Sequence, residues 1–100
     1  MELTLNDIAQ AVAEVVASYD IREAYLFGSF ARGDYTTASD IDLRFVCGPE
    51  ITYGSLFRIS QDLECRLGRP VEIVTNPLEF MRPRFRQQVE HDEVLLYEAA

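Results

Sequence analysis

Lysine is missing from this 100-residue chain, so its nine basic side chains are all arginine, set against 17 acidic ones for a formal net charge of −8. Broad gripping of nucleic acid rests on many phosphate contacts from basic residues. A direct nucleic-acid partner is therefore not expected. The missing lysine is as compatible with genome composition as with a need for guanidinium forks. Cysteine and histidine are almost as scarce. Cys47, Cys65 and His91 have no metal-ligand spacing and are too few for a four-ligand zinc site. The cysteines are expected to be reduced and buried. His91, in the exposed-looking run Glu90-His91-Asp92-Glu93, is expected to be solvated. No apolar run approaches the roughly 20 residues of a membrane span, and the N-terminus has no basic-then-apolar pattern. These absences point to a cytoplasmic location and no membrane partner. Internal repeats and low-complexity linkers are absent too.

What is present fits one small folded unit. A hydrophobic share of 48% and a charged share of 26% are ordinary for a globular protein. Residues 1–100 are expected to form a single domain with a modest core. Leu5, Ile8, Val12, Val15, Val16 and Tyr19 recur at helical intervals, and Thr4 and Asp7 are spaced as a capping pair. Thr4 to Tyr19 is thus predicted to be an amphipathic helix facing the core. Leu56, Ile59, Leu63 and Leu67 predict a second helix over Ile51 to Leu67. Asn76 and Pro77 mark a helix start, as N-cap and first-turn residue. Pro83 interrupts any single long helix, leaving a helical stretch from Arg84 to Glu90. Val94-Leu95-Leu96-Tyr97 fits strand or helix. The expected fold class is α/β (α+β), a small mixed sheet with helices packed against it and a site along one open edge.

The chemistry concentrates between Gly28 and Leu43. Glu23 to Phe27 reads as a strand that stops at Gly28-Ser29, where glycine permits close backbone approach to a ligand. With a short helix over Phe30 to Asp34, Ser29 falls near its N-cap, where free N–H groups favour an anion such as a triphosphate. Arg32 carries a planar fork suited to phosphate or carboxylate. After the loop Asp34 to Ser39 comes Asp40-Ile41-Asp42-Leu43. Period-two alternation sends Asp40 and Asp42 to one face, with Ile41, Leu43 and Phe45 to the other. Paired carboxylates repel unless a cation joins them, and hard oxygen donors suit Mg²⁺. Alone, such a pair reads more readily as a solvated strand edge; the Gly-Ser turn just upstream changes that reading.

Gly28-Ser29-Phe30-Ala31-Arg32-Gly33, a short loop, then Ser39-Asp40-Ile41-Asp42-Leu43 resembles the signature of the polymerase-beta-like nucleotidyltransferase superfamily. In size the chain is most similar to the minimal nucleotidyltransferase (MNT) antitoxins of HEPN/MNT toxin-antitoxin pairs. The resemblance implies the fold of that superfamily and a third carboxylate on a later strand. Val71-Glu72-Ile73-Val74 supplies Glu72, where family members often have aspartate. It further implies a Mg²⁺-dependent transfer of AMP from ATP to a hydroxyl, with two ions about 3.5 to 4 Å apart. Asp40, Asp42 and Glu72 are the implied catalytic residues and metal ligands, Glu72 also taking the hydroxyl proton. Gly28, Ser29 and Arg32 are the implied nucleotide-binding residues.

The implied activity is that of a protein adenylyltransferase. As an antitoxin, the chain would modify a tyrosine of a HEPN-type ribonuclease toxin and form a hetero-oligomer with it. Two alternatives remain: a small-molecule nucleotidyltransferase like the aminoglycoside-modifying relatives, and a non-catalytic antitoxin that masks its partner. Arg82, Arg84 and Arg86 form a cluster suited to carboxylates of a partner or to nucleotide phosphates.

Overall fold

A computed structural model describes residues 3–75 and 77–100. The chain runs α1 (Leu5–Val16), β1 (Ile21–Phe27), α2 (Ser29–Arg32), β2 (Ile41–Cys47), α3 (Tyr53–Leu67) and β3 (Val71–Val74). A 3₁₀ turn (Leu78–Phe80), α4 (Pro83–Asp92) and β4 (Val94–Glu98) follow. The two longest helices, α1 and α3, begin on side-chain caps. Asp7 N–H donates to Thr4 Oγ1 at 3.1 Å while Thr4 N–H donates to Asp7 Oδ2 at 2.9 Å, a reciprocal capping box. At α3 the Thr52 hydroxyl accepts from Ser55 N–H at 3.1 Å, and the helix ends on Gly68 in the left-handed region, φ 69°.

The four strands form one mixed sheet in the order β3-β2-β1-β4. β1 pairs antiparallel with both β2 and β4, and β2 pairs parallel with β3. A parallel pair needs a crossover of a dozen residues or more, and α3 supplies it. The apolar positions of β2 (Ile41, Leu43, Phe45) and β1 (Ala24, Leu26) are buried with Ile8, Val12 and Val16 of α1 and Ile59 and Leu63 of α3. Each of the larger side chains stabilises the fold by about 1.5 to 3 kcal/mol relative to exposure. With α1 and α3 taking that face, alternation sends Asp42 and Arg44 of β2 and Glu72 of β3 to the opposite one.

Several local expectations are corrected. α1 stops at Val16, because Tyr19 N–H turns back to Val16 O at 2.9 Å and Tyr19 O accepts from Ile21 N–H; Tyr19 packs on the core from outside the helix. α3 starts at Tyr53, after the Thr52 cap. No single long helix runs through Pro83: the 3₁₀ turn ends at Phe80 and Pro83 opens α4 as its first residue, where its missing N–H would be unpaired anyway. Asn76 lies outside the described residues, and Pro77 precedes the 3₁₀ turn. Val94–Glu98 is strand, hydrogen-bonded to the free edge of β1. Cys47 is half-buried and Cys65 exposed, both as free thiols. Cys65 falls off the Ile59, Leu63, Leu67 stripe that α3 buries, and burial pushes the Cys47 thiol up. No helix of the described residues is long and apolar enough to cross a membrane.

Candidate functional site

The site begins where β1 ends. Gly28 has φ 76°, open to glycine at little cost, and serves as N-cap of the single-turn α2; Ser29 is therefore the first helical residue instead of the cap. A side chain at Gly28 would collide with Asp42: its Cβ would lie 3.2 Å from Asp42 Cγ and closer still to Oδ2. Glycine thus serves two purposes here, the turn and the seat of a carboxylate. Gly33, φ 84°, ends the turn with its N–H on Ser29 O at 2.9 Å.

The loop from α2 to β2 is held by the segment just before β3. Arg69 Nη1 donates to Thr36 O at 2.9 Å and Ser39 O at 3.2 Å, and its guanidinium lies 5.0 Å from the Phe30 ring centroid. Phe30 in turn stacks on Tyr35 at 4.3 Å. Ile41 N–H donates to Pro70 O at 2.9 Å, which starts β2 in register with β3. Arg69 and Pro70 therefore set where the aspartates enter the sheet.

Asp42 is the second residue of β2 and is partly buried. It stands opposite Phe27 of β1 and Glu72 of β3 in the strand register. Asp40 precedes β2 and is exposed, and Glu72 is exposed on β3. Burial, then the charge of Glu72, then that of Asp40, push the Asp42 carboxyl up to about 6, while Arg32 opposes the rise. Three mutually repelling carboxylates form a donor set whose chemistry fits a hard divalent cation. Among the described residues, however, no three His, Cys, Asp or Glu side chains are gathered closely enough to make a ready cage.

Gly28, Ser29, Arg32 and Asp42 line one cavity of about 260 Å³, closed by Phe27 of β1 and by Phe85, Gln88, Val89 and Asp92 of α4. Phe85 meets Phe27 edge-on at 6.0 Å. Asp40 and Glu72 do not line this cavity. A larger groove of about 780 Å³ opens farther along β2, between Arg44 to Gly48, the start of α3 and the segment after β3.

Two acids of the 90–93 run are more than solvated surface. Asp92 is buried, and its Oδ2 accepts from Arg32 Nη1 at 2.8 Å. Burial alone would raise its carboxyl, but hydrogen bonds from Arg32 and His91 outweigh that and hold it below its ordinary value. Glu93 receives both Nε and Nη2 of buried Arg44 at 3.0 Å, and Arg44 also lies over the Tyr25 ring at 4.5 Å. His91 itself is exposed. One signal for these pairs exists in the sequence: acids at a helix C-terminus oppose the macrodipole unless a cation meets them. Of the arginine cluster, Arg86 pairs with Glu90 one turn on at 2.7 Å. Arg82 and Arg84 are exposed, with no ion pair among the described residues.

A glycine-bounded turn, Asp42 and an arginine around one cavity on a mixed sheet define the class, an α/β domain with a small, partly polar cavity where β1 ends. The chain belongs to the polymerase beta nucleotidyltransferase family, whose model matches residues 10–100. A "putative protein adenylyltransferase" of Methanocaldococcus jannaschii is 29% identical over 73 residues, covering 73% of this chain and 78% of that protein. A solved "putative minimal nucleotidyltransferase" superposes with a TM-score of 0.74 at 29% identity, over 93% of this chain and 96% of that one. A toxin-antitoxin crystal structure with AMP-PNP gives 0.73 at 22% identity, over 91% and 73%. The complex of a tri-AMPylated Shewanella oneidensis HEPN toxin with MNT antitoxin gives 0.68 at 18%, over 96% and 74%. The last two likenesses concern the fold. The expected fold class, a small mixed sheet with helices in the polymerase-beta-like arrangement, is the one found.

Proposed function

We propose that this chain is a protein adenylyltransferase that acts as the antitoxin of a HEPN-type toxin, transferring AMP from ATP to a tyrosine hydroxyl of that partner. The observation that carries the reading is the shared cavity of Gly28, Ser29, Arg32 and Asp42, with Glu72 opposite Asp42 in the strand register. The adenylyltransferase relative and the toxin-antitoxin neighbours favour a protein acceptor.

In this reading Gly28, Ser29 and Arg32 hold the β- and γ-phosphates. The acceptor oxygen attacks the α-phosphorus, a new P–O bond forms as the bond to pyrophosphate breaks, and Glu72 takes the hydroxyl proton. Asp40 and Asp42, with Glu72 completing one of two sites, would hold Mg²⁺, which when bound would supply charge neutralisation for attack and departure. Positioning and electrostatics carry most of such a transfer, so a small residue set suffices.

The test is the intact mass of a co-expressed HEPN partner after incubation with ATP and Mg²⁺, using wild type and Asp42→Ala. An AMP-sized gain with wild type alone is expected; no gain with either sinks the reading. A second reading, silencing by masking without chemistry, rests on Glu72 standing where the third carboxylate of the resembled family is often aspartate. Silencing that survives Asp42→Ala with the complex intact would select it.

A further inference from the structure

We infer that Asp92 is a positioning residue of this site, fixing the Arg32 guanidinium toward the polyphosphate of the bound nucleotide. The inference rests on the nucleotide reading of the cavity above.

Arg32 has five N–H donors in a rigid fork. Its Nε donates to Asp34 Oδ2 at 3.1 Å and its Nη1 to Asp92 Oδ2 at 2.8 Å. The protons of Nη2 and the second proton of Nη1 have no protein partner among the described residues. The two anchors differ in kind. The Asp34 side chain is 63% exposed, whereas that of Asp92 is 3% exposed beside an Arg32 that is 35% exposed. A buried carboxylate at the end of α4 is a fixed point, and the exposed one is not. The guanidinium therefore has Nη1 held by the buried end of α4 and Nε by the exposed Asp34, in a residue that lines the cavity with Ser29 and Asp42.

Asp92 also settles a competition. Arg32 and Asp42 line the same cavity, so a released guanidinium has a rival anion within it. Collapse onto Asp42 would remove the phosphate donor and occupy a carboxylate the reaction uses. The strong hydrogen bond to Asp92, charge-assisted from both sides, holds the fork away from that outcome. The neighbouring Glu93 makes a comparable buried pair with Arg44, outside this cavity, and so provides an internal control for the packing of the α4–β4 junction.

The experiment is calorimetric binding of inorganic pyrophosphate and of AMP, with Mg²⁺, to wild type, Asp92→Asn and Glu93→Gln. Asp92→Asn is expected to weaken pyrophosphate about tenfold or more and leave AMP within about twofold. Glu93→Gln is expected to lower the melting temperature without selective loss of pyrophosphate. In turnover, Asp92→Asn raises KM for ATP more than it lowers kcat. Equal losses of pyrophosphate in both variants would overturn the proposal in favour of junction packing, as would unchanged binding in Asp92→Asn. If Asp92→Asn does not fold, Asp92→Glu keeps the charge but moves it, and an intermediate loss confined to pyrophosphate is expected; none overturns the proposal. Wild type that binds neither pyrophosphate nor AMP removes the nucleotide reading itself, an outcome distinct from wild type that binds while Asp92→Asn binds equally well.

Discussion

Asp42 of β2 and Glu72 of β3 are register partners across a parallel strand pair, which places two carboxylates side by side on the face that the helices α1 and α3 leave open. Glu72 adds its repulsion to the larger effect of burial, and together with Asp40 they push the Asp42 carboxyl up to about 6 from its ordinary 3.8. The pair is the electrostatic centre of the site, and its cost is read most directly as a pH dependence.

A folded-state pKa above the unfolded one means the native state holds the proton more tightly. The stability tied to that proton is full below the unfolded value near 4 and is lost as pH rises through about 6. Without divalent cations, Asp42→Asn is therefore expected to melt higher than wild type at about pH 7.5. A gain of roughly 3 to 6 °C is reasonable after allowing for solvent screening of a partly exposed group. The gap should close below about pH 4. Thermal unfolding at both pH values checks this, and a variant that melts lower at neutral pH contradicts it.

Gly28→Ala joins two penalties, a Cβ at φ 76° and a collision with the Asp42 carboxylate. The backbone cost alone is about 1 kcal/mol or more, and displacement of Asp42 is expected to abolish nucleotidyl transfer. Urea denaturation and the mass assay measure the two separately. Full activity in this variant would show that Asp42 does not need its seat.

Arg44 and Glu93 form a two-point ion pair with both side chains largely buried, 7% and 15% exposed. Removing one partner strands the other charge, at about 3 kcal/mol or more. Arg44→Leu combined with Glu93→Leu should recover much of that loss, because an apolar pair of similar volume needs no compensation. A denaturation double-mutant cycle decides it; additive losses would mean that the pair is not coupled.

The legible parts of this chain are those that local chemistry controls. Thr4 and Asp7 announce α1 because both halves of a capping box lie within one turn. Ile41, Leu43 and Phe45 announce β2 and its buried face by alternation alone. Glu72 was legible as the acid of its strand, although nothing in the sequence shows that Asp42 stands opposite it. The Arg32–Asp92 and Arg44–Glu93 pairs span separations of 60 and 49 residues, so Asp92 and Glu93, which read as part of an exposed run in the linear chain, are largely buried and paired in the folded one. β4 was ambiguous because a four-residue apolar run suits either element, and only the free edge of β1 decides it.

Glu72 differs from Asp42 in being exposed, and that separates its chemical role from its structural one. Replacement of an exposed acid away from any hydrogen bond ordinarily changes stability by about 0.5 kcal/mol or less, and Glu72→Gln also lifts one source of repulsion from Asp42. Stability is therefore expected to be unchanged or slightly higher. If Glu72 receives the acceptor proton, kcat should fall about 10²- to 10⁴-fold while KM for ATP stays near wild type, since the cavity of Gly28, Ser29 and Arg32 is untouched. Glu72→Asp retains the charge but withdraws it by one methylene, so it should lose less than Glu72→Gln and keep the same KM. Steady-state kinetics of partner modification, alongside melting curves, distinguishes these cases. Equal kcat in wild type and Glu72→Gln would remove Glu72 from the reaction and leave the proton to Asp42 or solvent.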